Sequence, residues 1–182
     1  TAKAGGPYEI TIVSHDSTLV LNDVLLGEVW LASGQSNMEM PLKGWLPTDS
    51  IINSKDEIIK ANHPKIRMFN AKRNYAKKPI ETISGEWAIC TPKSVGDFSA
   101  TAYFFARRLQ KELNVPIGII HSSWGGTVAE AWTSKKSLKE FKNFETPIAA
   151  LEDPKIFQIT KDWYSKFDTI SLPQTNSDWN AL

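Results

Sequence analysis

A serine held just past the end of a strand can act as a nucleophile, and residues 27–40 have the composition to present one. They read Gly27-Glu28-Val29-Trp30-Leu31-Ala32-Ser33-Gly34-Gln35-Ser36-Asn37-Met38-Glu39-Met40. The apolar run at 29–32 predicts a strand buried on both faces. Gly34 allows the backbone to turn sharply there. Ser36 then falls beyond the carboxyl end of the strand, the edge at which open α/β sheets bind ligands. Gly-x-Ser turns are also ordinary connectors. Met38 stands where the Gly-x-Ser-x-Gly elbow would carry its second glycine.

A second stretch could complete ester chemistry. Residues 117–120 read as another buried strand, which runs through His121-Ser122-Ser123-Trp124 into Gly125-Gly126 and then toward a predicted helix. Two glycines at that junction leave backbone N–H groups bare at a helix N-terminus, where negative charge is favoured. The same pair also fits a plain tight turn. Of the three histidines, His15 falls in a turn and His63 precedes Pro64 in a loop, both read as surface positions. His121 alone lies on the edge that carries Ser36. Asp97, Asp162 and Asp168 have no histidine at suggestive spacing and are assigned to solvent. The single cysteine, Cys90, excludes an internal disulfide and reads as a small buried hydrophobe. No Cys/His/Asp cluster has metal-ligand spacing and no phosphate-binding glycine loop is present, so no metal or cofactor is expected.

Gly27-Glu28-Val29-Trp30 followed by Gly34-Gln35-Ser36-Asn37-Met38 resembles the nucleophile block of the sialate O-acetylesterase family, which are SGNH-type carbohydrate esterases. His121-Ser122-Ser123-Trp124-Gly125-Gly126-Thr127-x-x-Glu130-Ala131-Trp132 is similar to a second block of that family, in the right order. Phe98-Ser99-Ala100-Thr101-Ala102-Tyr103-Phe104-Phe105-Ala106 is similar to the helix between them. The resemblance runs over nearly the whole chain and is loosest after about residue 135. It implies Ser36 as nucleophile, with Ser36, Gly125 and Gly126 at the oxyanion. Gln35, Asn37, Trp124 and Glu130 would meet the substrate, an acetyl ester of sialic acid or a related sugar. It also implies an extracellular or periplasmic setting. The family's base belongs to a late Asp-x-x-His block, and a Gln-Gly-Glu-type turn precedes a further oxyanion asparagine. Neither block occurs in this sequence. The expectation is therefore the N-terminal part of an esterase domain whose partner is its own missing C-terminal segment, inactive alone.

The elements that must position these residues follow from the patterning. Gly5-Gly6-Pro7 reads as a loop, residues 8–12 and 18–21 as the arms of a β-hairpin, and Asn22-Asp23 as its end. This hairpin, residues 1–26, would be the tail of a preceding β-domain, and residues 27–182 the esterase part. Asp49 or Ser50 should cap a helix through Ile51, Ile52, Ile58 and Ile59. Residues 65–69 and the stretch around Trp87 read as strands. Ser99 should cap a helix that Asn114 and Pro116 end. Strand and helix in alternation predict a three-layer α/β/α domain with a parallel sheet, incomplete on its C-terminal side. After residue 135 there is room for two amphipathic helices between Ser137 and Trp163, and residues 172–182 read as an extended exit.

The 182 residues suffice for a sizeable core, with 41% hydrophobic and 23% charged residues. A net charge of +1 gives no field to steer the chain to nucleic acid or an anionic membrane. Arg107-Arg108, Lys77-Lys78 and Lys135-Lys136 read as solvated surface. No apolar run is long enough to span a membrane. Seven tryptophans leave room for another reading, a non-catalytic carbohydrate-binding module that stacks sugars on Trp124 and Trp132. A third is a structural remnant without a ligand. An accessible, reactive Ser36 hydroxyl separates the esterase from both.

Overall fold

A computed structural model describes residues 3–159 apart from 46, 75, 77, 78 and 157, together with residue 162. Asp168, Lys77, Lys78, Trp163 and the exit segment 172–182 lie outside the described residues. The chain forms two compact units, Thr1–Val128 and Ala129–Leu182.

The first unit opens with a hairpin of β1 (Gly5–Ser14) and β2 (Ser17–Leu26), paired antiparallel around a turn at His15 and Asp16. The arms are longer than the sequence pattern predicts. Gly5-Gly6-Pro7 belongs to β1 instead of forming a loop. Asn22-Asp23 does not end β2, because the register shifts between Tyr8 and Ile10 absorb Asp23 at φ +58. A bulge of this kind bends a strand without breaking it.

A second, four-stranded sheet runs in the order β3 (Glu28–Gly34), β6 (Ile117–Ser123), β4 (His63–Asn70), β5 (Trp87–Cys90). β3–β6 and β6–β4 are parallel and β4–β5 is antiparallel, so the sheet is mixed. Helix α3 (Ala100–Leu113) is capped by Ser99, whose Oγ accepts from the Ala102 N–H at 3.1 Å, and is closed by Asn114 in the left-handed region. Its Ala102, Tyr103 and Ala106 meet Ile66, Met68, Ile117 and Ile119 in one buried cluster. Those four strand residues are i, i+2 pairs, so the core sits on one face of the sheet.

The other face is more open. β3 is an edge strand among the described residues, with Val29 and Leu31 64% and 68% exposed. The expected burial on both faces is thus corrected: Ala32 alone in the run is buried, and Trp30 packs edge-on against Phe105 of α3. The open face also carries Trp87, half exposed, and Arg67, which reaches Asp23 of the hairpin at 2.7 Å. The described helices of this unit add a layer to the core face, giving a mixed α/β arrangement.

Three further expectations change. Helix α2 starts at Ser54 and ends at Lys60, because Asn53 before it takes φ +59; neither Asp49 nor Ser50 caps it, and Ile52 and Ile59 are exposed. His63 opens β4, half-buried with Nε2 3.4 Å from the Tyr103 hydroxyl, so it is not a surface-loop residue. Arg107 is not simply solvated: it pairs with Glu57 and lies over the Tyr103 and Phe104 rings. Cys90 is fully buried, and desolvation pushes its thiol up to about 11.

The second unit holds short helices: α4 (Lys135–Leu138), α5 (Glu145–Glu152) and two 3₁₀ turns, Ala129–Trp132 and Lys142–Phe144. Among the described residues no helix is long and apolar enough to cross a membrane.

Candidate active site

The parallel strands β3 and β6 end side by side, with Gly34 opposite Ser123. The Trp124 N–H donates to the Gly34 carbonyl at 3.0 Å and ties the two exits together. Gly34 takes φ +144, a conformation open to glycine and strained for other residues. The chain then winds directly into α1 (Ser36–Glu39), a single turn with Ser36 at its start. Two further contacts pin this turn to α3. The Thr101 hydroxyl donates to the Asn37 carbonyl at 3.0 Å, and the Ala100 N–H donates to the Met40 carbonyl at 2.9 Å. Met38 packs against the core, which orients the turn. Ser36 is half-buried, with Gln35 and Asn37 exposed on either side.

Gly125 lies against Ser36. A Cβ built on Gly125 would sit 3.6 Å from the Ser36 Cβ and 2.5 Å from Glu39 Oε2. A side chain at this position would displace the Glu39 carboxylate while only touching Ser36. Gly126 takes φ +76, and a Cβ there would meet nothing within 4 Å. The chain beyond enters a 3₁₀ turn and no α-helix follows the glycines directly. The expected helix dipole behind them is absent, because residues 127–134 form no α-helical turn.

The Gly125 N–H is also committed. It donates to Glu39 Oε2 at 2.7 Å, and Glu39 Oε1 pairs with Arg73. The Arg73 guanidinium in turn lies 5.6 Å from the centre of the Trp124 ring. Gly125 therefore meets Ser36 with its N–H bonded to a carboxylate, whereas Gly126 beside it is exposed. Sequence reasoning overlooked Glu39 and Arg73. The signal for Glu39 was its spacing: three residues after Ser36, it shares one face of a helical turn. Arg73 follows β4 in a polar loop, and nothing local distinguishes it.

His121 reaches this edge but serves other partners. Its Nδ1 is 2.8 Å from Asn70 Oδ1, and its Nε2 is 2.6 Å from Ser123 Oγ. The tautomer with a proton on Nδ1 would donate to the Asn70 oxygen and accept from the Ser123 hydroxyl at Nε2. Burial holds the imidazole below its usual pKa; the Met38 carbonyl opposes this, and the Arg73 charge adds to the lowering. No histidine or carboxylate bonds the Ser36 hydroxyl among the described residues. Asp97 is an exposed partner of Lys43, and Asp162 accepts from Gln158 at 2.6 Å. Trp124 is half-buried, while Glu130 and Trp132 are exposed in the second unit. No group of three or more potential metal ligands occurs among the described residues.

Residues 26–153 match the family model of carbohydrate esterases described as sialic acid-specific acetylesterase. The chain belongs to this family. It is 32% identical to the sialate O-acetylesterase of Rattus norvegicus over 99% of its own length and 37% of that protein. It is 37% identical to the Homo sapiens sialate O-acetylesterase over 75% of its length and 28% of that protein. The chain thus spans about a third of the length of the curated relatives it matches. The crystal structure of a carbohydrate acetylesterase from Xanthomonas citri superposes with a TM-score of 0.69 at 39% identity, covering 77% of this chain and 31% of that one.

Proposed function

We propose that Ser36 is the nucleophile of a carboxylic ester hydrolase that removes O-acetyl groups from carbohydrates, with sialic acid the first substrate to test. The observation that carries this reading is the approach of the Gly125 backbone to Ser36 at the ends of two parallel strands. Ser36 Oγ attacks the acetyl carbonyl as a base takes its proton, and the carbonyl electrons move onto oxygen. Collapse breaks the bond to the sugar oxygen, which leaves with the proton as an alcohol. Water then attacks the acetyl-serine, releasing acetate and restoring Ser36. The backbone N–H groups of Ser36 and Gly126 are the oxyanion donors we assign, and Gln35, Asn37, Trp124 and Glu130 the residues we assign to substrate.

The base lies outside this chain in this reading. Both ring nitrogens of His121 are engaged, and the sequence carries no Asp-x-x-His block. A serine hydroxyl without its base is a weak nucleophile. The residues not in this chain would also complete the sheet and the three-layer α/β/α arrangement.

Release of 4-nitrophenol from its acetate ester tests both parts. The 182-residue chain alone should give no turnover above background. Co-expressed with a segment carrying the family's Asp-x-x-His block, it should turn over, and Ser36→Ala should remove that activity by roughly 10³-fold or more. Turnover by the chain alone that His121→Ala abolishes would make His121 the base and overturn the assignment.

A further inference from the structure

We propose that Glu39 is a positioning residue, a carboxylate clamp that fixes the Gly125–Gly126 turn against Ser36 and withdraws the Gly125 N–H from the oxyanion. The inference rests on the reading of Ser36 given above. Ser36 and Glu39 stand three residues apart on one turn of α1, so the carboxylate projects from the same face as the serine. The Glu39 side chain is only 16% exposed. A carboxylate taken out of water is costly unless its oxygens are satisfied. Both are: Oε2 by the Gly125 N–H at 2.7 Å, Oε1 by Arg73.

The contacts close a ring. Glu39 holds Gly125, Gly125 follows Trp124, the Trp124 ring faces the Arg73 guanidinium, and Arg73 returns to Glu39. Trp124 is itself tied to Gly34 through its backbone N–H. The two turns that meet at Ser36 come from strands 3 and 6 of the chain and share no sequence-local link. A bond from an ionised acceptor to a backbone N–H is shorter and stronger than a neutral one, which suits it to fixing their separation. A Cβ on Gly125 would press on Glu39 Oε2, so a side chain there and the clamp compete for the same space. It also divides labour between the glycines. Gly125 gives close approach and an anchor, and the donor role is assigned to Gly126, which is exposed and has open space around its Cα.

Amide hydrogen exchange read by NMR on the ¹⁵N-labelled 182-residue chain tests the clamp without any need for turnover. Glu39→Ala should speed Gly125 exchange by about tenfold or more, since its acceptor is gone. Glu39→Gln keeps an accepting oxygen but loses the charge and the Arg73 ion pair, so its Gly125 exchange should fall between the parent and Glu39→Ala. Glu39→Asp, one methylene short, should lose protection at Gly125 while the Met68 and Ile119 amides of the core stay protected. This variant serves if Glu39→Ala does not fold. Unchanged Gly125 protection in Glu39→Asp, or equal loss in Glu39→Gln, overturns the proposal. The role of Ser36 is read separately, from the Ser36→Ala assay, so failure of one inference leaves the other standing.

Discussion

At the scale of single residues, two partly buried imidazoles should make stability depend on pH in mild acid. Burial lowers the pKa of His121, and burial followed by the Arg107 charge lowers that of His63, where Glu57 opposes the shift. A depressed histidine pKa means that, below the ordinary value of 6.5, the unfolded chain binds protons the native state refuses. Stability therefore falls as pH drops through that value and levels once the native imidazoles also protonate. Urea midpoints measured from about pH 8 to pH 5 should decline over the lower half of that range, across the ordinary histidine value. His121→Gln should flatten part of the slope. Midpoints independent of pH there, in the parent protein, would refute the burial argument. The edge position of His121 was legible in the sequence, but its partners were not: Asn70 comes from a different strand, and Ser123 lies two residues along its own.

At the scale of elements, α3 holds the Ser36 turn in place, and its N-terminus is the critical joint. Ser99 is fully buried; its hydroxyl caps α3 and lies 3.7 Å from Met38 Sδ in α1. Ser99→Ala removes the cap and should cost about 1–2 kcal/mol, a fall in melting temperature of roughly 2–8 °C. Calorimetry on the two proteins measures it directly, and an unchanged midpoint would mean that the cap carries no weight. This helix was readable because its start, its apolar spacing and its end all lie within one short stretch. Helix α2 was less so: Asn53 adopts the left-handed conformation and moves the start past the isoleucines that suggested it.

At the scale of the whole molecule, the described sheet carries an apolar edge and face that few of its own residues cover. Val29 and Leu31 on β3 are mostly exposed, and Trp87 and Ile89 on β5 are half exposed. Unpaired edge strands with apolar side chains invite pairing with another chain. The isolated chain should self-associate as its concentration rises, and Leu31→Lys should shift the equilibrium toward monomer by about tenfold or more. Sedimentation equilibrium on both proteins decides it; a monomer at every concentration, indifferent to Leu31→Lys, would count against an adhesive edge.

The sequence by itself determined the strands that lead into the site and helix α3 beside them, because apolar runs and caps act over a few residues; it did not foretell the helical turn at Ser36 or the lack of an α-helix directly after Gly126. It also determined the family, since the Ser36 and Trp124-Gly125-Gly126 blocks are contiguous. The tertiary structure alone decided that β3 lies at an edge, since an apolar run reads the same whether or not a neighbour covers it. It decided, too, that the Gly125 N–H is bonded to the Glu39 carboxylate. Glu39 and Arg73 are 34 residues apart in sequence, and only the meeting of three strand ends, those of β3, β4 and β6, brings that carboxylate, that guanidinium and that glycine together.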